Sequence, residues 1–278
     1  MPELTIWDSI ILGIVEGLTE FLPVSSTGHL TIASKALGLP IDDPSVTAFT
    51  AVIQFGAIAA VVVYMWKDIS RYAVAWFRGL TKPEYRGEFD HRMGWYVIIG
   101  SLPICIVGFL ARDIISGPLR SMWWVAGSLI GWSFVMVAAE RLGSKKRPLE
   151  KITLIDAIVM GLLQCLALIP GVSRSGATIS AGLFRGLDRV ASTRVAFLLG
   201  IPALVGAAVF ELPHAMGGHV GAVPLLVGTV VSFIVAYASV AWLIRFVAKH
   251  TTEVFAFYRV LVGIVILILL ATSTITAT

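Results

Sequence analysis

Six long apolar runs, at residues 46–66, 93–111, 121–140, 191–211, 221–243 and 253–272, alternate with short polar segments along the chain. Each is close to the 20 or so residues that an α-helix needs to cross the hydrocarbon core of a bilayer. Trp66, Trp95, Trp123, Trp124 and Trp242 fall near the ends of these runs, at the level where aromatic side chains sit between lipid and water. Two further apolar regions do not read as single spans. Residues 5–39 are broken by Pro23 with Gly28 close behind, and residues 153–189 by Pro170-Gly171 with Gly176 after it. Each is expected to form two half-length helices around a polar turn, a re-entrant hairpin. Broken backbone is tolerated at membrane depth only where protein or a water-filled cavity surrounds it.

Composition removes the soluble alternative. The 278 residues are 57% hydrophobic and only 14% charged, with a mean hydropathy of +0.89, whereas a soluble domain carries about a quarter charged residues. The expected fold is an all-α polytopic membrane protein forming one integral-membrane domain over 1–278. The start, "MPELTIWDSIILG", carries Glu3 and Asp8 and no Lys or Arg before Lys35, so no signal peptide is expected. Cys105 and Cys165 lie inside apolar stretches and read as small buried residues rather than a disulfide or a metal pair.

The cations set the orientation. Loop 67–92 holds Lys67, Arg71, Arg78, Lys82, Arg86 and Arg92; loop 141–151 holds Arg141, Lys145, Lys146, Arg147 and Lys151; Arg245 and Lys249 lie between the last two runs. "LPHAMGGHVGAVP" (212–224) has neither Lys nor Arg. The positive-inside rule makes the basic loops cytoplasmic and puts both termini outside. The first hairpin then dips in from the outer face and the second, flanked by Lys151, Arg185 and Arg189, from the cytoplasm. The net charge of +4 is thus a topology signal, and nucleic acid is not an expected partner.

The two broken regions are copies of each other. "GIVEGLTEFLPVSSTG" from Gly13 aligns without a gap on "GLLQCLALIPGVSRSG" from Gly161, pairing Leu18 with Leu166, Val24 with Val172, Ser25 with Ser173 and Gly28 with Gly176. The offset is 161 − 13 = 148, and Phe49 meets Phe197 at the same offset. Each half, about 1–150 and about 151–278, is then a hairpin plus three spans. Three is odd, so the halves are expected to form an inverted-topology repeat, with a site near the midplane where the broken helices meet. The copies differ where chemistry would lie. Glu16 corresponds to Gln164, Glu20 to Leu168 and Ser26 to Arg174, so one hairpin carries acids and the other a fixed cation.

Glu16 and Glu20, four apart, share one helix face. Each ionisable group at depth costs about 2.5–3.5 kcal/mol on insertion scales and is by default functional. Simple pairing of the acids with Arg174 would leave Ser25, Ser26, Thr27, Ser173, Ser175 and Thr178 unexplained. Any one of these hydroxyls suits a helix N-cap. Together, free backbone N–H groups, a positive dipole end, Gly28 and Gly176 permitting close approach, and the Arg174 fork describe an anion site suited to phosphate. The acids would then either hold Mg²⁺ or Ca²⁺ or act as a base on a serine, a histidine or water. His29, three residues beyond Ser26, is a candidate nucleophile, base or leaving-group acid.

"EGLTEFLPVSSTGH" and "PGVSRSGAT" resemble the two motifs of the bacterial undecaprenyl-diphosphate phosphatase family, the one linked to bacitracin resistance, and the resemblance runs over essentially the whole chain. It implies removal of the terminal phosphate of undecaprenyl diphosphate, a polyprenyl lipid carrier of peptidoglycan synthesis. It also implies a divalent cation (Mg²⁺ or Ca²⁺) held by Glu16 and Glu20, and a site in the bacterial inner membrane opening to the outer face. Carried over by motif, Glu16, Glu20, Ser26, His29 and Arg174 form the catalytic set, and Ser25, Thr27, Gly28, Ser173, Ser175, Gly176 and Thr178 the substrate-binding set. Ser26, His29 and water stay open as the attacking group. The expected partners are the lipid substrate and the bilayer, with a homodimer left open. The competing class is a transporter or flippase of a phosphorylated lipid, since inverted repeats with broken helices also build transporters.

Several polar residues read as bland. Glu140-Arg141 and "SKKR" (144–147) suit a helix end and a topology signal, His214 and His219 an outer loop, and Gln54 a hydrogen bond across helices. Arg259 lies under two turns inside the last run, so it either snorkels to the cytoplasm or takes part in function.

Overall fold

The computed structural model describes residues 4–40, 43–111, 114, 121–216 and 221–276. These are helical almost throughout: α1 (Ile6–Thr19), α2 (Ser26–Ala36), α3 (Pro44–Tyr64), α4 (Trp66–Thr81), α5 (Phe89–Leu110), α6 (Met122–Leu142), α7 (Leu154–Gln164), α8 (Arg174–Phe184), α9 (Arg189–Met216), α10 (Ala222–Val247) and α11 (Glu253–Ala271). Six of them, α3, α5, α6, α9, α10 and α11, are long and apolar enough to cross a membrane, and they overlap the six apolar runs. Helix α9 continues to Met216, so the first part of the expected outer loop is helical. His219 and the side chain of His214 lie outside the described residues.

The expected loop 67–92 is largely a helix. In α4 Tyr72, Ala75 and Gly79 are buried on one face, while Trp66, Val74, Phe77 and Leu80 stay exposed on another. Gly79 leaves the room that His91 of α5 fills, since a Cβ there would lie 2.1 Å from the His91 ring. The helical period is present in the sequence but carries cations on its third face, which made the stretch read as a polar connection.

At both broken regions the same local devices recur 148 residues apart. Thr5 and Asp8 form a capping box at the start of α1, and Thr153 and Asp156 form one at the start of α7, each satisfying two backbone donors that the first turn leaves free. Helix α1 ends at Thr19 and the chain turns through Ser25, at φ 76°; α7 runs through a 3₁₀ turn (Cys165–Leu168) to Ser173, at φ 75°. A positive φ in a non-glycine residue costs on the order of 1–3 kcal/mol and persists where the surroundings over-determine it. Gly13 of α1 lies against Gly228 of α10, where a Cβ would come within 2.7 Å of the carbonyl. Gly161 of α7 does the same against Gly100 of α5, at 2.1 Å. Small residues at these crossings let backbones approach closely, and the packing this allows is one of the forces that hold helices together in lipid. Each hairpin thus leans on a span from the other half of the chain.

Three of the bland residues do more than expected. Buried Glu140 accepts from Arg189 at the start of α9 and from both the amide (3.1 Å) and hydroxyl (2.8 Å) of Thr252, which precedes α11. Arg147 and Arg185 converge on buried Asp156, at 2.5 and 2.8 Å, tying the second hairpin to the chain before it. Lys145 donates to the Glu140 and Gly143 carbonyls. Two other expectations fail on contact partners. Cys105 is exposed on the outside of the bundle rather than buried, because α5 turns that face away from its neighbours. Gln54 is half-buried and makes no cross-helix hydrogen bond among the described residues.

Candidate active site

The two hairpin tips meet, and Glu20 is where they meet. It follows α1 directly, is buried, and uses both carboxylate oxygens. Oε2 accepts from the Ser26 hydroxyl at 2.6 Å, and Oε1 accepts from Nη2 of Arg174 at 2.9 Å. Ser26 is the first residue of α2 and Arg174 the first of α8. Residues 154 apart are therefore joined through one carboxylate. A second strut runs from the Ser175 hydroxyl to the Leu22 carbonyl at 3.0 Å. The tips are in direct contact.

Arg174 sits in a slot made for it. Its guanidinium carbon lies 6.0 Å from the centre of the Phe21 ring, and a Cβ added to Gly200 of α9 would fall 1.6 Å from Nη1. Gly200 is a site residue that sequence reasoning missed, and nothing marks it among the other glycines of the apolar runs. Glu16, one turn before Glu20, is 1% exposed, and its Oε1 has no hydrogen-bond partner. Its repeat mate Gln164 is equally buried, accepts weakly from Thr178 at 3.4 Å, and leaves its amide nitrogen unpartnered.

The predicted binding residues divide. Ser173 caps α8, accepting from the Gly176 amide at 3.2 Å. Thr178 is fully buried and donates to the Arg174 carbonyl at 2.8 Å. Ser175 is spent on Leu22, and Gly28 and Gly176 pack against Val125 and Met136. These five build the frame. At the other tip Ser25 makes no side-chain cap to α2, and Thr27 is exposed in the first turn. The first-turn amides of α2 are thus the ones left without a side-chain cap, whereas α8 is capped by Ser173. The uncapped first turn, that of α2, lies beside Ser26.

His29 is not hydrogen-bonded to this trio. Its Nδ1 lies 2.8 Å from the Ser25 carbonyl and its Nε2 2.8 Å from the hydroxyl of Tyr258 in α11, with the two rings stacked at 5.5 Å. Tyr258 is a second residue that sequence reasoning missed. Its neighbour Arg259 does not snorkel: it is fully buried. Its Nη1 donates to the Pro23 carbonyl at 3.2 Å and its Nη2 to the Gly171 carbonyl at 2.9 Å, with Nε reaching the Ser133 hydroxyl at 3.3 Å. Pro23 and Gly171 are themselves 148 apart. One guanidinium therefore bonds the equivalent carbonyl of each chain break, and backbone acceptors that the broken helices would otherwise leave bare are satisfied.

The sequence profile of the bacitracin resistance protein BacA family matches residues 9–265. The chain belongs to the BacA family. A Frankia alni protein named undecaprenyl-diphosphatase 1 is 53% identical over 278 residues, covering all of both chains. Proteins of the same name from Streptomyces coelicolor (54% over 274 residues, 98% of this chain and 99% of the relative) and, without the numeral, from Acidothermus cellulolyticus (52% over 266 residues, 95% and 96%) are similar throughout. The BacA profile covers both chain breaks, five of the six long apolar helices in full and most of the sixth, so this family member is a multi-pass membrane protein with Glu20, Ser26 and Arg174 all in the shared region.

Proposed function

We propose that this BacA-family chain is an undecaprenyl-diphosphate phosphatase, which removes the terminal phosphate and leaves undecaprenyl phosphate. Membership of the family and the names of its full-length relatives support the activity. The observation that carries it is Glu20 holding a serine hydroxyl on one side and an arginine on the other. A hydroxyl is a weak nucleophile until a base within hydrogen-bond reach takes its proton. Ser26 is the candidate already in that position. In this reading Ser26 Oγ attacks the terminal phosphorus while its proton passes to Glu20, and the bond to the bridging oxygen breaks. Undecaprenyl phosphate leaves, and water then frees inorganic phosphate from the serine, which regains its proton. Arg174 turns from Glu20 to the phosphoryl oxygens, and the uncapped amides of α2 receive the charge of the group being transferred. His29 exchanges a proton with the leaving group or with water.

The orphaned, buried Glu16 oxygen fits a cation ligand. Glu16 with Glu20 would hold Mg²⁺ or Ca²⁺, whose chemistry here is to offset phosphate charge. Among the described residues no cluster of three or more His, Cys, Asp or Glu surrounds them, so substrate oxygens would complete the shell. Glu16→Gln is expected to raise the cation concentration needed for half-maximal rate. An unchanged titration with lowered turnover would speak for Glu16 as an acid–base group instead.

The halves read as an inverted-topology repeat of re-entrant hairpins, supported by the capping boxes, the paired serines at positive φ and the paired Gly38 and Gly186, all at one offset. The basic segments would face the cytoplasm of a bacterial inner membrane, with both termini and the site opening outside. Ready labelling of Lys82→Cys from outside intact cells would overturn this orientation. Phosphate release by detergent-purified protein separates the enzyme from a lipid transporter. With no second compartment to move lipid into, a transporter releases nothing.

A further inference from the structure

We infer that Tyr258 is a positioning residue for His29, fixing which ring nitrogen is available to exchange a proton. The inference rests on His29 taking part in the reaction proposed above. A carbonyl oxygen can only accept, so Nδ1 of His29 carries the hydrogen in its 2.8 Å contact with Ser25. In the neutral ring the other nitrogen, Nε2, then holds a lone pair, and the Tyr258 hydroxyl at 2.8 Å donates to it. The two bonds lie on opposite edges of the ring. A 180° flip about the Cβ–Cγ bond would put carbon where each nitrogen stands and lose both.

The anchor points come from parts of the chain that the site already holds still. Ser25 is at positive φ in the first break. Tyr258 is adjacent in sequence to Arg259, whose guanidinium bonds the Pro23 and Gly171 carbonyls from a fully buried position. Any shift of α11 relative to the breaks is thus resisted one residue from the hydroxyl. The stacked rings, inclined by 14°, hold the imidazole plane parallel to the phenol. Tyr258 is itself 44% exposed, at the surface of the bundle where α2 and α11 adjoin. There its hydroxyl can swing off Nε2 when substrate arrives, without repacking the core. Tyr258 transfers no proton in this account. It keeps the lone pair on Nε2 and the ring in plane until substrate takes its place.

The test pairs kinetics with spectroscopy on the full-length protein in detergent. Tyr258→Phe keeps the stacked ring and removes only the hydroxyl. It is expected to lower kcat on the order of tenfold, the scale of one hydrogen bond, with KM within about twofold. In a His29→Gln background the same change is expected to cost nothing further, because the residue it serves is gone. Nitrogen-15 histidine spectra, with His29 assigned by its loss in His29→Gln, are expected to report hydrogen on Nδ1 in the wild type and a mixture of ring forms in Tyr258→Phe. Equal losses in both backgrounds, or hydrogen on Nε2 in the neutral wild-type ring, would overturn the inference. If His29→Gln keeps wild-type turnover, the assignment of His29 to the reaction fails instead. The spectra still decide whether Tyr258 sets the ring.

Discussion

Replacing Arg174 with lysine is expected to lower phosphate release on the order of a hundredfold or more, in a protein that still inserts and folds. Lysine keeps the positive charge and can remake the single contact that Arg174 gives Glu20 at 2.9 Å. It cannot present two donors side by side to two phosphoryl oxygens. Electrostatic groups aimed at developing charge are worth about 2.7–4 kcal/mol, or two to three decades of rate. The slot supports the distinction. Phe21 lies against the guanidinium and Gly200 makes room for Nη1, features that a lysine ammonium would not use. If Arg174 served only to neutralise Glu20, lysine would do nearly as well, and near-wild-type turnover in a well-folded Arg174→Lys variant would refute the clamp.

The second large effect is on stability. Arg259→Leu is expected to cost about 3 kcal/mol or more, since a charged donor loses its hydrogen bonds to Pro23, Gly171 and Ser133, and the two to carbonyls alone are worth about 1.5–3 kcal/mol each. The Pro23 and Gly171 carbonyls would be left bare in the interior. For a chain of this size that corresponds to a fall of roughly 6–12 °C in the thermal midpoint in a given detergent. A side chain that merely snorkelled would give almost no change. A midpoint within about 2 °C of wild type would show that the breaks do not depend on the guanidinium.

The two effects fall on residues of very different legibility. Glu16, Glu20, Ser26 and Arg174 stand out in the sequence because polar groups inside apolar runs are expensive and few, and the 148-residue offset sets the acids opposite the cation. The spans were legible for the same reason of length and apolarity. Helix α4 was not, because its cations match the composition of a cytoplasmic loop and hide a helical period. Gly200 and Tyr258 were not either. An apolar span is full of glycines and aromatics, and what selects these two is the helix that happens to lie opposite, α8 for one and α2 for the other. Arg259 was visible but its destination was not, since depth along a helix does not say whether a side chain turns to lipid headgroups or to the core. Ser173, Ser175 and Thr178 read as ligands for phosphate, and what the sequence did not show is that each hydroxyl also bonds backbone within the frame.

The central claim is that two chain breaks, one from each half, work as a single site through Glu20. A double-variant cycle on phosphate release from undecaprenyl diphosphate, with Ser26→Ala in the first break and Arg174→Lys in the second, tests it most directly. Groups that act as one unit lose their worth together, so the double variant is expected to be no slower than about the slower single variant. Losses that multiply across the two substitutions would mean that the breaks act independently, and would contradict the shared site.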